Sequence, residues 1–295
     1  MIFRGTGTAL VTPFREGQVD YKSFEEFMEF QINNGVDALI VLGTTGEAPS
    51  ITPKERAAII SLAVRVSDNR VKVIIGTGSN STEHTVDMSR EAMELGADGV
   101  LIVTPYYNKP TQEGLFQHYQ KVASGVDGPI IIYNVPGRTG SNILPETVLR
   151  CSEIENIVAV KEASGDMIQV DRLIRDIRKK RADFAVFSGN DDQAFHLVCS
   201  GGDGVISVLS NVMPAETSEM IDSTINGDLE HGRELHMKMF PLMRNLFVET
   251  NPIPVKYAVS RLGYCQNTLR LPLVPASGKA MSLVDEALLE CGVRI

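Results

Sequence analysis

Eight short apolar runs, separated by longer amphipathic stretches, restrict how this chain can fold more than any other feature. The runs are "GTALVTPF" (7–14), "ALIVLGTTG" (38–46), "VKVIIGTGS" (71–79), "GVLIVTPYY" (99–107), "PIIIYNVPG" (129–137), "IVAVKEASG" (157–165), "FAVFSGND" (184–191) and "GVISVLSN" (204–211). Each is rich in Val, Ile and Leu with little polar alternation, as expected of strands covered on both faces in a parallel sheet. The stretches between them carry helix signals. "DYKSFEEFMEFQI" places Phe24, Phe27, Met28 and Ile32 on one face. "TPKERAAIISLAV" opens with Thr52 as N-cap, Pro53 at the first helical position and Glu55 completing a capping box. "DMIQVDRLIRDI" repeats the amphipathic pattern with Ile168, Leu173 and Ile177. Eight β/α units within residues 1–224 predict an α/β protein, a (β/α)8 barrel rather than an open doubly wound sheet. From residue 225 the strand signals stop. "DLEHGRELHMKMFPLMRNLF", with Pro241 as a kink, "NPIPVKYAVSRLG" and "SLVDEALLECGV" then predict a C-terminal helical domain over 225–295, packed on the barrel.

Charge and composition remove several classes of function. A net charge of −9, from 28 basic and 37 acidic residues, argues against a nucleic-acid or anionic-membrane surface. The N-terminus "MIFRGTGTALVTPF" lacks the long apolar core of a signal peptide, and no run approaches the length of a membrane span. The expectation is a cytoplasmic protein. Its four cysteines (Cys151, Cys199, Cys265, Cys291) show no C-x-x-C and no disulfide framework, and read as buried free thiols. The five histidines have no metal-ligand spacing, and there is no P-loop, dinucleotide fingerprint or nucleophile elbow. Neither a metal nor an organic cofactor is expected.

In a barrel of this kind, chemistry gathers at the C-terminal ends of the strands. Strand two ends in "GTTGE" (43–47), strand four in "TPYYNKP" (104–110), strand five in "YNVPGRTG" (133–140), strand six in Lys161 and strand seven in "SGND" (188–191). Lysine almost never sits buried unless it is paired or chemically useful. Two readings fit Lys161: a salt bridge at the barrel rim, or a desolvated amine with a depressed pKa that attacks a carbonyl to form a Schiff base. Tyr133 is either a packing residue or a phenol that relays protons to such an amine. Thr44 and Thr45 either cap the next helix or, with Gly43 and Gly46, form an anion nest. Arg138 is an ordinary loop cation or a planar fork for a carboxylate.

"GTTGE", "YYNKP", "YNVPGRTG" and "KEASG", together with "NPIPVK" (251–256), resemble the dihydrodipicolinate synthase (4-hydroxy-tetrahydrodipicolinate synthase) family from end to end. "GTTGE" and the lysine strand alone mark only the wider superfamily of pyruvate-dependent lysine aldolases, and "YNVPGRTG" is the more specific piece. The resemblance implies condensation of pyruvate with L-aspartate-4-semialdehyde in lysine and diaminopimelate biosynthesis. Lys161 would form the imine, with Tyr133, Thr44 and Tyr107 as proton relay. Tyr107 would come from a neighbouring subunit, which implies a homo-oligomer, in most members a dimer of dimers. Thr45 matches the pyruvate-carboxylate contact, Arg138 the semialdehyde-carboxylate contact, and Gly189 and Ile206 backbone contacts near the lysine. Two alternatives stay in view: a sugar-acid or sialic-acid aldolase sharing the imine, and a catalytically silent barrel that binds a keto acid.

One departure from the family bears on regulation. Members inhibited by L-lysine bind it with a serine, two histidines, an asparagine, a glutamate and a tyrosine. Here Asn80 and Tyr106 remain, but Ala48 stands at the serine, Pro53 and Arg56 at the histidines, and His84 at the glutamate. The expectation is insensitivity to L-lysine, with Arg56 adding positive charge where an ammonium would bind.

Overall fold

The computed structural model describes all 295 residues. Strand β1 (Gly5–Ala9) is followed by a small antiparallel hairpin, β2 (Phe14–Arg15) with β3 (Gln18–Val19). The remaining strands are β4 (Ala38–Val41), β5 (Lys72–Gly76), β6 (Gly99–Val103), β7 (Ile130–Asn134), β8 (Ile157–Glu162), β9 (Ala185–Ser188) and β10 (Gly204–Ser207). With the hairpin set aside, eight parallel strands follow chain order round a ring, and β1 pairs with both β4 and β10 to close it. This is the (β/α)8 barrel that the alternation predicts. The strands are almost wholly buried, because side chains fill the lumen on one face and helices cover the other.

The helices follow from local chemistry. Helix α1 (Tyr21–Asn33) is capped by Asp20 and buries Phe24, Phe27, Met28 and Gln31, with Ile32 at the margin of the same face. Helix α2 (Pro53–Ser67) has the expected capping box between Thr52 and Glu55. Helices α3 (Thr82–Glu94), α4 (Gln112–Gly125), the short α5 (Pro136–Thr139) and α6 (Pro145–Cys151) come next, then α7 (Met167–Lys180), capped by Asp166. One expectation for α7 fails. Its buried stripe is Gln169, Val170, Leu173, Ile174 and Ile177, while Ile168 is 74% exposed. Five residues separate Ile168 from Leu173, which rotates it well off the shared face.

Helices α8 (Asp191–Cys199) and α9 (Pro214–Ile225) complete the barrel, and α10 (Leu229–Asn245), containing Pro241, α11 (Ile253–Arg261) and α12 (Gly278–Glu290) follow. Leu235, Met239, Leu242, Val255 and Val284 of these last three belong to the same apolar core as the outer faces of the strands. A second core of 13 residues fills the barrel lumen, with Phe3 stacked on Phe187 at 4.3 Å. The cysteines are all unpaired. Cys151 and Cys291 are buried, Cys265 is half-buried, and Cys199, at the end of α8, is exposed rather than buried as the sequence suggests. No helix is long and apolar enough to cross a membrane.

Candidate active site

Strand register creates the site. β7 and β8 pair so that Tyr133 lies directly beside Lys161, and the Lys161 Nζ stands 4.3 Å from the centre of the Tyr133 ring. Both side chains point into the barrel mouth and are buried, Lys161 at 5% exposure and Tyr133 at 8%. Burial disfavours the charged form of each. It brings the Lys161 amine down from 10.5 to about 7, with the Asp191 carboxylate opposing that shift and the Arg138 charge adding to it. It pushes the Tyr133 phenol up to about 12, against the pull of Arg138 and of the Thr44 hydroxyl. No carboxylate forms an ion pair with Lys161, so the rim salt bridge is not the arrangement found. Burial thus shifts the amine toward its neutral form near neutral pH and holds the phenol in its protonated form. That is the division of labour required of a nucleophile and a proton relay.

The Gly-Thr-Thr-Gly turn after β4 approaches from the other side. Its Gly46 and Glu47 amides close the turn by donating to the carbonyls of Gly43 and Thr44, both at 3.1 Å. The amides of Thr44 and Thr45 donate to no group of the chain and are available to an anion. Neither threonine caps the next helix, which is the work of Thr52. The Thr45 hydroxyl instead accepts from the Asn251 side chain at 3.0 Å. Arg138 sits on α5 at the exposed edge of the mouth, and its Nη2 donates to the Asn251 carbonyl at 3.1 Å. Asn251 thus joins the threonine turn to the arginine. Its place in "NPIPVK" was the only hint of this in the sequence.

Gly189 is needed for close approach. A Cβ there would lie 2.9 Å from Lys161 Cε and 3.1 Å from Cγ. Its amide is committed to the Glu162 carbonyl at 2.7 Å, so only its carbonyl remains for a ligand. Ile206, on β10, is fully buried in the lumen core with Phe187 and Ala159. Tyr107 does not join this cluster. It is 89% exposed, with a left-handed φ of 73°, on the segment following β6.

Two features lay outside sequence reasoning. Asp191, at the start of α8, is buried, and burial pushes its carboxyl above the ordinary value, opposed by the Ser207 hydroxyl and the Leu209 and Val208 amides. Glu47, the last residue of "GTTGE", forms a buried ion pair with Lys256 of α11, while its other oxygen accepts from the Arg270 amide at 3.1 Å. The Lys256 ammonium and the Arg270 guanidinium lie 4.2 and 4.5 Å from the centre of the Phe14 ring. Among the residues expected at a lysine-binding site, Arg56 needs correction. It is buried, its Nε pairs with Glu91 at 3.3 Å, and it donates to the carbonyls of Gly76 and Met88 at 3.4 Å. Its charge is therefore turned inward and matched. Pro53 and His84 are exposed, and Ala48 is half-buried.

Fold and site together define a class: a TIM barrel with a desolvated amine at a strand end in its mouth. The chain matches the dihydrodipicolinate synthetase family over residues 2–290 and belongs to it. It is 62% identical to the 4-hydroxy-tetrahydrodipicolinate synthase of Kosmotoga olearia over 292 residues, covering 99% of both chains. It is 54% identical to that of Thermotoga neapolitana over 99% of this chain and 100% of the relative. The crystal structure of dihydrodipicolinate synthase from Thermotoga maritima superposes with a TM-score of 0.98 at 52% identity, covering 99% of each chain.

Proposed function

We propose that Lys161 is the nucleophile of a 4-hydroxy-tetrahydrodipicolinate synthase that condenses pyruvate with L-aspartate-4-semialdehyde in lysine biosynthesis. The observation that carries this reading is the buried Lys161 amine, lowered to about 7, in register beside Tyr133. The neutral amine adds to the ketone of pyruvate, whose carboxylate lies on the free amides of the Thr44–Thr45 turn and the Thr45 hydroxyl. Tyr133 hands a proton to the carbinolamine oxygen, which leaves as water, and Thr44 passes protons between Tyr133 and the exposed Tyr107 of an adjoining subunit. Loss of a methyl proton from the imine gives an enamine, and its carbon attacks the semialdehyde's aldehyde. The semialdehyde's own amine then closes the ring onto the imine carbon and frees Lys161. Arg138, at the edge of the mouth, receives the semialdehyde carboxylate. Gly189 and Ile206 line the amine's approach.

The exposure of Tyr107 supports a homo-oligomer, which we read as a dimer of dimers working in the cytoplasm. We treat 1–224 as the catalytic barrel and 225–295 as a helical appendage that buttresses the site through Asn251 and Lys256. Borohydride reduction with pyruvate should add a three-carbon adduct to the peptide carrying Lys161, and Lys161→Ala should abolish it together with turnover. A coupled assay run beside N-acetylneuraminate separates this activity from that of a sugar-acid aldolase. An adduct on a different lysine would sink the assignment.

A further inference from the structure

The segment that carries Arg138 is closed at a neck. Asn134 ends β7 just before it and Asn142 follows it; the Asn134 Nδ2 donates to the Asn142 Oδ1 at 2.8 Å, and the Asn134 Oδ1 accepts from the Ile143 amide at 3.2 Å. Within the segment the amides of Arg138, Thr139 and Gly140 donate to the carbonyls of Val135 and Pro136. The neck rests on Glu162. Strand alternation sends Lys161 into the mouth and the next side chain, Glu162, to the outer face, where register sets it beside Asn134 as it sets Lys161 beside Tyr133. Glu162 is 3% exposed, and its carboxylate accepts from the Asn134 Nδ2 at 3.0 and 3.2 Å, the Ser164 amide at 2.6 Å and the Gln169 Nε2 at 3.3 Å. Gln169, on α7, completes the circle: its Nε2 also donates to the Asn142 Oδ1 at 3.1 Å, and its Oε1 accepts from the Asn142 Nδ2 at 3.0 Å.

A buried carboxylate whose partners are all neutral is a costly group to keep, and an apolar side chain would fill the same space without that cost. What the carboxylate supplies is definition. Its oxygens offer acceptors and no donor, so the three N–H groups that converge on them close the neck in one arrangement. The strand end is fastened at the same level, because the Ala163 amide donates to the Asn134 carbonyl at 2.9 Å and the Gly189 amide to the Glu162 carbonyl at 2.7 Å. The other hold on the segment is at Arg138 itself, whose Nη2 donates to the Asn251 carbonyl. The arginine is therefore tied through its base to the strand that bears Lys161, and through its side chain to the C-terminal helices.

We propose that Glu162 is a positioning residue for Arg138: its carboxylate fixes the separation between the guanidinium that receives the semialdehyde carboxylate and the amine that carries the pyruvate enamine. The inference rests on the reading of Lys161 as nucleophile and of Arg138 as carboxylate anchor. For the aldehyde carbon to meet the enamine carbon, the carboxylate of the same molecule must lie at a set distance from Lys161. The neck thereby selects the length of chain between carboxylate and aldehyde. An anchor that drifts weakens this second substrate. Pyruvate, held by the Thr44–Thr45 turn on the other side of the mouth, is left as it was.

The test is Glu162→Gln, which keeps the shape of the side chain but turns an N–H toward donors that need an acceptor. Two readouts are taken on the full-length protein. One is the dependence on pyruvate concentration of the borohydride-trapped adduct on the Lys161 peptide. The other is the pair of KM values for pyruvate and L-aspartate-4-semialdehyde. The semialdehyde KM should rise roughly tenfold, the scale of one lost hydrogen bond to a charged group, while the adduct keeps its wild-type dependence on pyruvate. Asn142→Ala opens the same neck without altering β8 and should split the two substrates in the same way; it decides the matter alone if Glu162→Gln does not fold. In an Arg138→Ala background, Glu162→Gln should add no further rise, because the residue it positions is gone. A semialdehyde KM that stays in place in the neck variants overturns the proposal. So does equal weakening toward pyruvate, which marks a brace for the whole mouth, or a further rise in the Arg138→Ala background. Absence of any Lys161 adduct in the wild-type protein overturns the reading of the site itself, and this inference with it.

Discussion

Replacing Lys256 with methionine should expose how the C-terminal helices hold the threonine turn in place. The Lys256 and Glu47 side chains are 0% and 1% exposed, and they are 209 residues apart in sequence. Lys256→Met preserves volume and stem but leaves the Glu47 carboxylate buried without its cation. Breaking a buried pair from one side costs about 3–5 kcal/mol, a large part of the roughly 5–15 kcal/mol that separates folded from unfolded domains. The expected fall in melting temperature is on the order of 10 °C. Glu47 also accepts from the Arg270 amide, so the unpaired carboxylate loosens "GTTGE" and pyruvate KM rises more than kcat falls. The discriminating variant is the double mutant Lys256→Met with Glu47→Gln. It removes both charges, keeps an acceptor for the Arg270 amide, and should recover most of the lost stability, because a buried pair adds little beyond a well-packed neutral replacement. Thermal melts followed by circular dichroism, with pyruvate titrations of each variant, decide it. A single mutant within about 1 kcal/mol of the parent, or a double mutant no better than the single, refutes the reasoning.

Three further outcomes are expected. Tyr133→Phe removes only the hydroxyl, so folding should survive while turnover drops on the order of 10²–10⁴-fold; near-normal turnover would make Tyr133 a packing residue. Arg138→Ala should raise the semialdehyde KM by roughly one to two orders of magnitude. It should also move the acid limb of imine formation to higher pH, because the arginine charge helps keep the Lys161 pKa low; equal weakening toward pyruvate would instead mark a general anchor. Turnover at subsaturating pyruvate should be indifferent to millimolar L-lysine, since His84 and Pro53 offer an ammonium no carboxylate. Half-inhibition below about 1 mM, the Kd range of a contact worth about 4 kcal/mol, would show that other carboxylates compensate.

The architecture was legible in the sequence because its signals are local. A continuous Val/Ile/Leu run or a Thr52-Pro53…Glu55 cap depends on neighbours a few residues away, and the eightfold alternation leaves few other ways to bury those strands. Lys161 stood out for a similar reason, as a charge at the end of an apolar strand. What the amine would do was open until the barrel closed. Only register places Tyr133 against it, only Gly189 lets the next strand approach so closely, and only enclosure by all the strands removes the water that would keep it an ordinary ammonium. The turn inward of Arg56 to Glu91 and the partnerships of Glu47 with Lys256 and of Asn251 with Thr45 were equally invisible. Local patterning determines which segments become strands and helices. Solvent exclusion and charge pairing between residues up to 209 positions apart exist only once those segments have packed, and it is these that turn a lysine at the end of a strand into a candidate nucleophile.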